Sequence, residues 1–112
     1  MVRAIGIYRW KEGAVFDHAR YRAEHLQTAR ALLEPLGLLR LESDEFVLGP
    51  RPGDGAIIAA TYAYFESPAT ARAALSATGA ALTESVSACT NLVPEVALGV
   101  VTTHFGGPHD DR

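Results

Sequence analysis

The stretch Ala56-Ile57-Ile58-Ala59-Ala60-Thr61-Tyr62-Ala63-Tyr64-Phe65-Glu66-Ser67-Pro68 decides the architecture. From Ala56 to Phe65 it carries no charge and is rich in β-branched and aromatic residues, the composition of a strand. Ser67-Pro68 then ends the strand and starts a helix, because serine caps well and proline suits the first helical position. Within the strand, Ile57, Ala59, Thr61, Ala63 and Phe65 share one face. Ala56, Ile58, Ala60, Tyr62 and Tyr64 share the other. Both faces are apolar, so both sides of the sheet are expected to be covered.

Working outward, Gly49 to Gly55 is dense in turn formers and reads as a loop. Leu38 to Leu48 before it reads as a second strand. Its polar centre, Glu42-Ser43-Asp44-Glu45, suits an edge, where charges block unwanted pairing. Val2 to Trp10 reads as the first strand. From Phe16 to Leu36 the period changes: Phe16, Ala19, Ala23, Leu26 and Leu33 recur at helical steps. Pro35 predicts an irregular last turn, and Gly37 suits the C-cap. Beyond Pro68, residues 69–88 form an alanine-rich second helix with Gly79 as its weak point. Leu92 to Phe105 reads as the last strand, with Pro94 near its start. Residues 106–112 form a polar tail expected to be disordered. One domain over residues 1–105 follows.

The order is β-α-β-β-α-β, which predicts an α+β, ferredoxin-like fold: a four-stranded antiparallel sheet with two helices on one face. Two helices cover only one side of the sheet. The simplest cover for the other is the same sheet from a second copy, which predicts a homodimer through the sheet face.

The chain has 112 residues, is 48% apolar and 21% charged, and carries a net charge of −3. That balance suits a single globular domain and offers no basic patch for nucleic acid. No apolar run reaches the roughly 20 residues of a membrane-spanning helix. The start of the chain has no signal-peptide pattern, so a cytoplasmic protein is expected. The single cysteine, Cys89, excludes a disulfide framework and a cysteine-based zinc site. Phosphate-binding glycine loops and nucleophile elbows are absent from the sequence.

His25 is the histidine with the most to offer. It lies mid-helix, four residues after Tyr21, so the two side chains share one side of the helix at the margin of its apolar stripe. There they can reach a cavity between helix and sheet, to bind a small organic molecule or exchange a proton with it. The competing reading is a half-buried histidine bonded to a backbone carbonyl. Tyr8 shares its strand face with Ala4, Gly6 and Trp10, and the small residues leave room for a pocket floor. Tyr62 and Tyr64 offer ring and hydroxyl together, as ligand contacts or as core and dimer-interface residues. With Trp10 and Phe16 they complete the candidate ligand-binding set: Tyr8, Trp10, Phe16, Tyr62 and Tyr64. His18 is expected to face solvent. His104 lies near the end of the last strand, and His109 lies in the tail.

Gly13-Ala14-Val15-Phe16-Asp17, then Tyr21, then His25 resemble the G-x-x-F-D-x-x-x-Y-x-x-x-H signature of EthD-like proteins. Tyr64-Phe65-Glu66-Ser67 resembles the entry to their second helix, and Thr90-Asn91-Leu92-Val93-Pro94 the approach to their last strand. The resemblance runs from about Arg3 to Val101. It implies a dimeric α+β barrel, a pocket for a hydrophobic aromatic or carbonyl-containing metabolite, His25 and Tyr21 as catalytic residues, and no cofactor. Other proteins on this fold include cofactor-free monooxygenases, polyketide cyclases and heme-binding enzymes; in the last case His25 or His104 would be the axial ligand. The chain departs from the family pattern in three places. Leu26-Gln27 follow the histidine where Met-Pro is usual. Arg20 stands where a second tyrosine is common. The acidic residue usual before the last strand is replaced near Ser85 or Ser87.

Overall fold

The computed structural model describes residues 1–106, so only Gly106 of the tail expected over residues 106–112 lies within them, and His109 lies outside. Four strands form one antiparallel sheet: β1 (Val2–Arg9), β2 (Arg40–Glu45), β3 (Ile57–Phe65) and β4 (Glu95–Val100), in the order β2-β3-β1-β4. The β2 strand is an edge, as its charges predict. Both β2 and β4 are shorter than the stretches read as strands, Leu38 to Leu48 and Leu92 to Phe105. Leu92 and Val93 approach β4 as irregular chain, because Pro94 has no N–H to give to a ladder.

The register sorts the two faces. Val2, Ala4, Gly6 and Tyr8 of β1 stand opposite Phe65, Ala63, Thr61 and Ala59 of β3. This face meets the helices. Arg3, Ile5 and Ile7 stand opposite Tyr64, Tyr62 and Ala60 on the other, open face. That face is less apolar than the strand-three pattern alone suggests. The Tyr62 hydroxyl donates to Asp44 Oδ2 (2.9 Å), and the Tyr64 hydroxyl donates to Glu42 Oε1 (3.0 Å). Arg3 donates to the Tyr64 hydroxyl and lies over the Tyr62 ring, 5.2 Å from its centroid.

The first helical segment is not uniform. Asp17 caps α1 (His18–Arg20), its Oδ1 accepting the Arg20 N–H at 3.0 Å. A π-helical turn spans Tyr21–His25, then α2 covers Leu26–Leu33 and a tight 3₁₀ turn covers Glu34–Leu36. Gly37 closes it with φ 103°, a left-handed C-cap that a side chain would strain. Phe16, expected to start the helix, instead forms a β-bridge with Thr90. The second helix, α3 (Pro68–Val86), starts at the Ser67 cap as expected.

The core is split. Around Phe65, which is fully buried, sit Val2, Ala4, Leu33, Ala63, Ala71 and Ala74. A second cluster gathers Tyr8, Tyr21, Ile58, Val86, Cys89 and Leu92. Many of the packed positions between sheet and helices are alanine or glycine, so the two layers do not fill the space between them.

Candidate functional site

Both clusters lend walls to a cavity of about 640 Å³ between the sheet and the helices. Ala4 and Gly6 of β1 form its floor, as the small residues beside Tyr8 predict. Ala29 and Gly79 keep the helical side thin, and residues 91–94 line the cavity where the chain approaches β4. A volume of this size is typical of pockets for drug-sized molecules. The walls are mostly apolar, and among the described residues no Asp, Glu, Lys or Arg lines them.

Two polar groups interrupt that surface. At one, the Tyr21 hydroxyl is 2.5 Å from Thr61 Oγ1, with the Tyr8 ring edge-on to Tyr21 at 5.7 Å between centroids. At the other, His25 Nδ1 is 2.9 Å from Ser85 Oγ of α3. The π-helical turn connects them. It hydrogen-bonds Leu26 N–H back to the Tyr21 carbonyl and holds both side chains on the inner side, with ring centroids 4.9 Å apart. Such wide turns occur disproportionately where a helix must aim functional groups.

Burial governs the protonation of these groups. It pushes the Tyr21 hydroxyl above the ordinary tyrosine range, with hydrogen bonds from Thr61 and Tyr8 pulling the other way. Burial, then the neighbouring Tyr21, pushes Tyr8 higher still. Both phenols therefore stay protonated and can donate. Burial lowers the His25 pKa from its ordinary 6.5, so the imidazole is neutral at pH 7. The sign for stability follows. The unfolded chain takes up the His25 proton before the folded chain does. The resulting penalty is absent well above pH 6.5, grows as pH falls from there towards the lower folded value, and levels off below it. Replacing His25 with Gln should therefore flatten the loss of stability between neutral and mildly acidic pH, measured as urea midpoints; an unchanged slope would assign that loss to other groups.

The loops around the site are tied together. Asn91 Oδ1 accepts the Val15 N–H and its Nδ2 donates to the Gly13 carbonyl, both at 2.9 Å. The Asp17 N–H donates to the Cys89 carbonyl at 2.8 Å. Two of the three segments quoted for their resemblance, around residues 13–17 and Thr90-Asn91, are thus clamped together, which fixes the start of the helix that carries Tyr21 and His25.

Of the candidate residues, His25, Tyr21 and Tyr8 meet at the cavity. Phe16 stands behind them, 5.1 Å from the Tyr8 ring and 5.0 Å from the Tyr21 ring, and Trp10 packs half-buried on the same cluster. Tyr62 and Tyr64 do not join them. They lie across the sheet on the open face, in a separate polar pocket with Arg3, Glu42 and Asp44. His18 approaches Glu45 at 3.8 Å, and His104 is exposed beyond β4. Sequence reasoning names Gly79 only as the weak point of the second helix and Thr61 only as part of a strand face, and places neither at the site. The signal for Thr61 was a hydroxyl in an otherwise apolar strand face; for Gly79 it was a glycine inside a helix. Among the described residues no three His, Cys, Asp or Glu side chains group as metal ligands, and no helix is long and apolar enough to cross a membrane.

No family model matches the sequence, and no curated protein does. Solved structures do. An EthD-like protein from Ralstonia eutropha JMP134 superposes with a TM-score of 0.78 at 23% identity, over 99% of this chain and 96% of that one. An ethyl tert-butyl ether d (EthD) family protein from Bacillus halodurans C-125 gives 0.66 at 18% identity, over 91% and 99%. HapK from Hahella chejuensis gives 0.57 at 18% identity, over 96% and 100%. The chain therefore has the fold of EthD-like proteins along nearly its whole length.

Proposed function

We propose that this chain is an EthD-like homodimer whose cavity takes a small hydrophobic molecule, aromatic or carbonyl-containing, within a catabolic or secondary-metabolic pathway. The observation that carries the reading is the cavity itself: an apolar space with a neutral histidine and a protonated tyrosine, their rings 4.9 Å apart on its wall. His25 and Tyr21 are its catalytic pair and Tyr8 orients the ligand. A neutral imidazole can take a proton from carbon next to a carbonyl, and a tyrosine hydroxyl can donate to the oxyanion that develops. The reading calls on no cofactor. The dimer would pair the open sheet faces, where Ile5, Ile7, Tyr62 and Tyr64 are half-buried with no helix over them.

One observation favours a second reading. The Tyr21 hydroxyl already interacts with Thr61 and Tyr8, so its hydrogen-bonding capacity is in use. A carrier that holds the same molecule without turnover needs no free donor. Both readings are tested by native mass spectra of freshly purified protein. They should show a dimer with a small added mass that leaves on denaturation. A bare monomer that acquires no mass in excess 2-naphthol contradicts the proposal.

A further inference from the structure

The charge balance of the walls narrows what can enter. Among the described residues no carboxylate, ammonium or guanidinium group lines the cavity, and its one imidazole, His25, is neutral at pH 7. The nearby arginines are committed elsewhere: Arg3 bonds Tyr64 on the open face, Arg20 bonds Glu24, Arg22 bonds Glu45 and Arg30 bonds Glu34. An anion in the cavity would give up its hydration and find no counter-charge, and a cation would find no carboxylate. Either loses far more than an uncharged group of the same shape. The C-terminal end of α3, at Val86, reaches the cavity wall and brings the negative end of the helix dipole, which further disfavours an anion.

The partner of His25 adds to this. Its Nδ1 meets a serine hydroxyl and not a carboxylate. A carboxylate there would hold an imidazolium; a hydroxyl does not. Because Ser85 Oγ can give or take the proton, His25 can present either a donor or an acceptor at Nε2 while remaining neutral. A neutral phenol or a neutral ketone can each be matched. Resting on the reading of the cavity as a ligand site, we infer that the cavity selects electrically neutral molecules, phenols or ketones on an apolar skeleton, and rejects the carboxylates and amines of the same skeleton.

Three probes of one shape test it: 2-naphthol, 2-naphthoate and 2-naphthylmethylammonium, titrated calorimetrically into the whole chain at neutral pH. The naphthol should bind at least about tenfold more tightly than either ion. A second arm uses Leu82→Arg, which sets a cation on the cavity wall at a half-buried position able to reach solvent. That variant should gain naphthoate binding and lose preference for the naphthol. If the ions bind the parent as well as naphthol, neutral selection is overturned while the cavity remains a ligand site. If the parent binds none of the three and Leu82→Arg also binds none, the cavity reading fails and takes the inference with it.

Discussion

Gly79→Phe is expected to weaken 2-naphthol binding by at least about a hundredfold while leaving the chain no less stable than its parent. Both halves come from the place of one residue. Gly79 stands inside α3, where glycine costs about 1 kcal/mol relative to alanine through backbone entropy. Nothing in the packing demands it: a Cβ there meets no atom within 4 Å, because the position faces the cavity. A phenylalanine ring would enter the space the ligand needs and bury apolar surface as it did so. Stability and binding would move in opposite directions, which a merely damaged fold cannot do. Calorimetry with 2-naphthol, paired with urea unfolding, reads both. Gly79→Ala separates the contributions: it should gain about 1 kcal/mol and lose little binding. A Gly79→Phe protein that folds and binds like the parent would place the ligand outside this cavity.

The largest loss of stability is expected from Phe65→Ala, about 3–5 kcal/mol by urea unfolding. Phe65 is fully buried, and its neighbours Ala63, Ala71 and Ala74 are too small to move into the void. A chain of this length holds roughly 5–15 kcal/mol in total, so the variant would sit close to unfolding. The same side chain in a continuous core would share that load. Here the cavity divides the core, and within its own cluster Phe65 is the one aromatic side chain, packed by Leu33 and four half-buried leucines. A loss below about 1 kcal/mol would mean that the cluster repacks and that the split core is not the source of the fold's stability.

These two residues show what the sequence discloses and what it hides. Strand periodicity groups Phe65 with Ile57, Ala59, Thr61 and Ala63, but both faces of that strand are apolar, so only the structure shows which of them meets the helices. The edge position of β2 was legible from its charges, and the Gly37 cap from its place after Leu36. The pocket floor was legible too, since Ala4 and Gly6 share a strand face with Tyr8. The pairing of Tyr21 with His25 follows from their spacing, although the structure achieves it with a π-helical turn that spacing does not encode. Ser85 is sixty residues from His25, and only the packing of α3 against the first helical segment brings them together. Local patterns cannot report such a contact. The same limit explains Tyr62 and Tyr64: their residue types suit a ligand, but strand parity puts them on the open face, across the sheet from His25. The apolar run after Asn91 overstated β4 because apolar residues that line a cavity look, in sequence, like residues that fill a core.

The claim on which the account turns is that His25 meets the ligand inside this cavity. Its most direct test is nuclear magnetic resonance of the nitrogen-labelled imidazole during addition of 2-naphthol. The His25 Nε2 resonance should move as the naphthol binds, while both ring nitrogens stay within the range of a neutral imidazole. A naphthol that binds while both His25 nitrogens remain unmoved would contradict it.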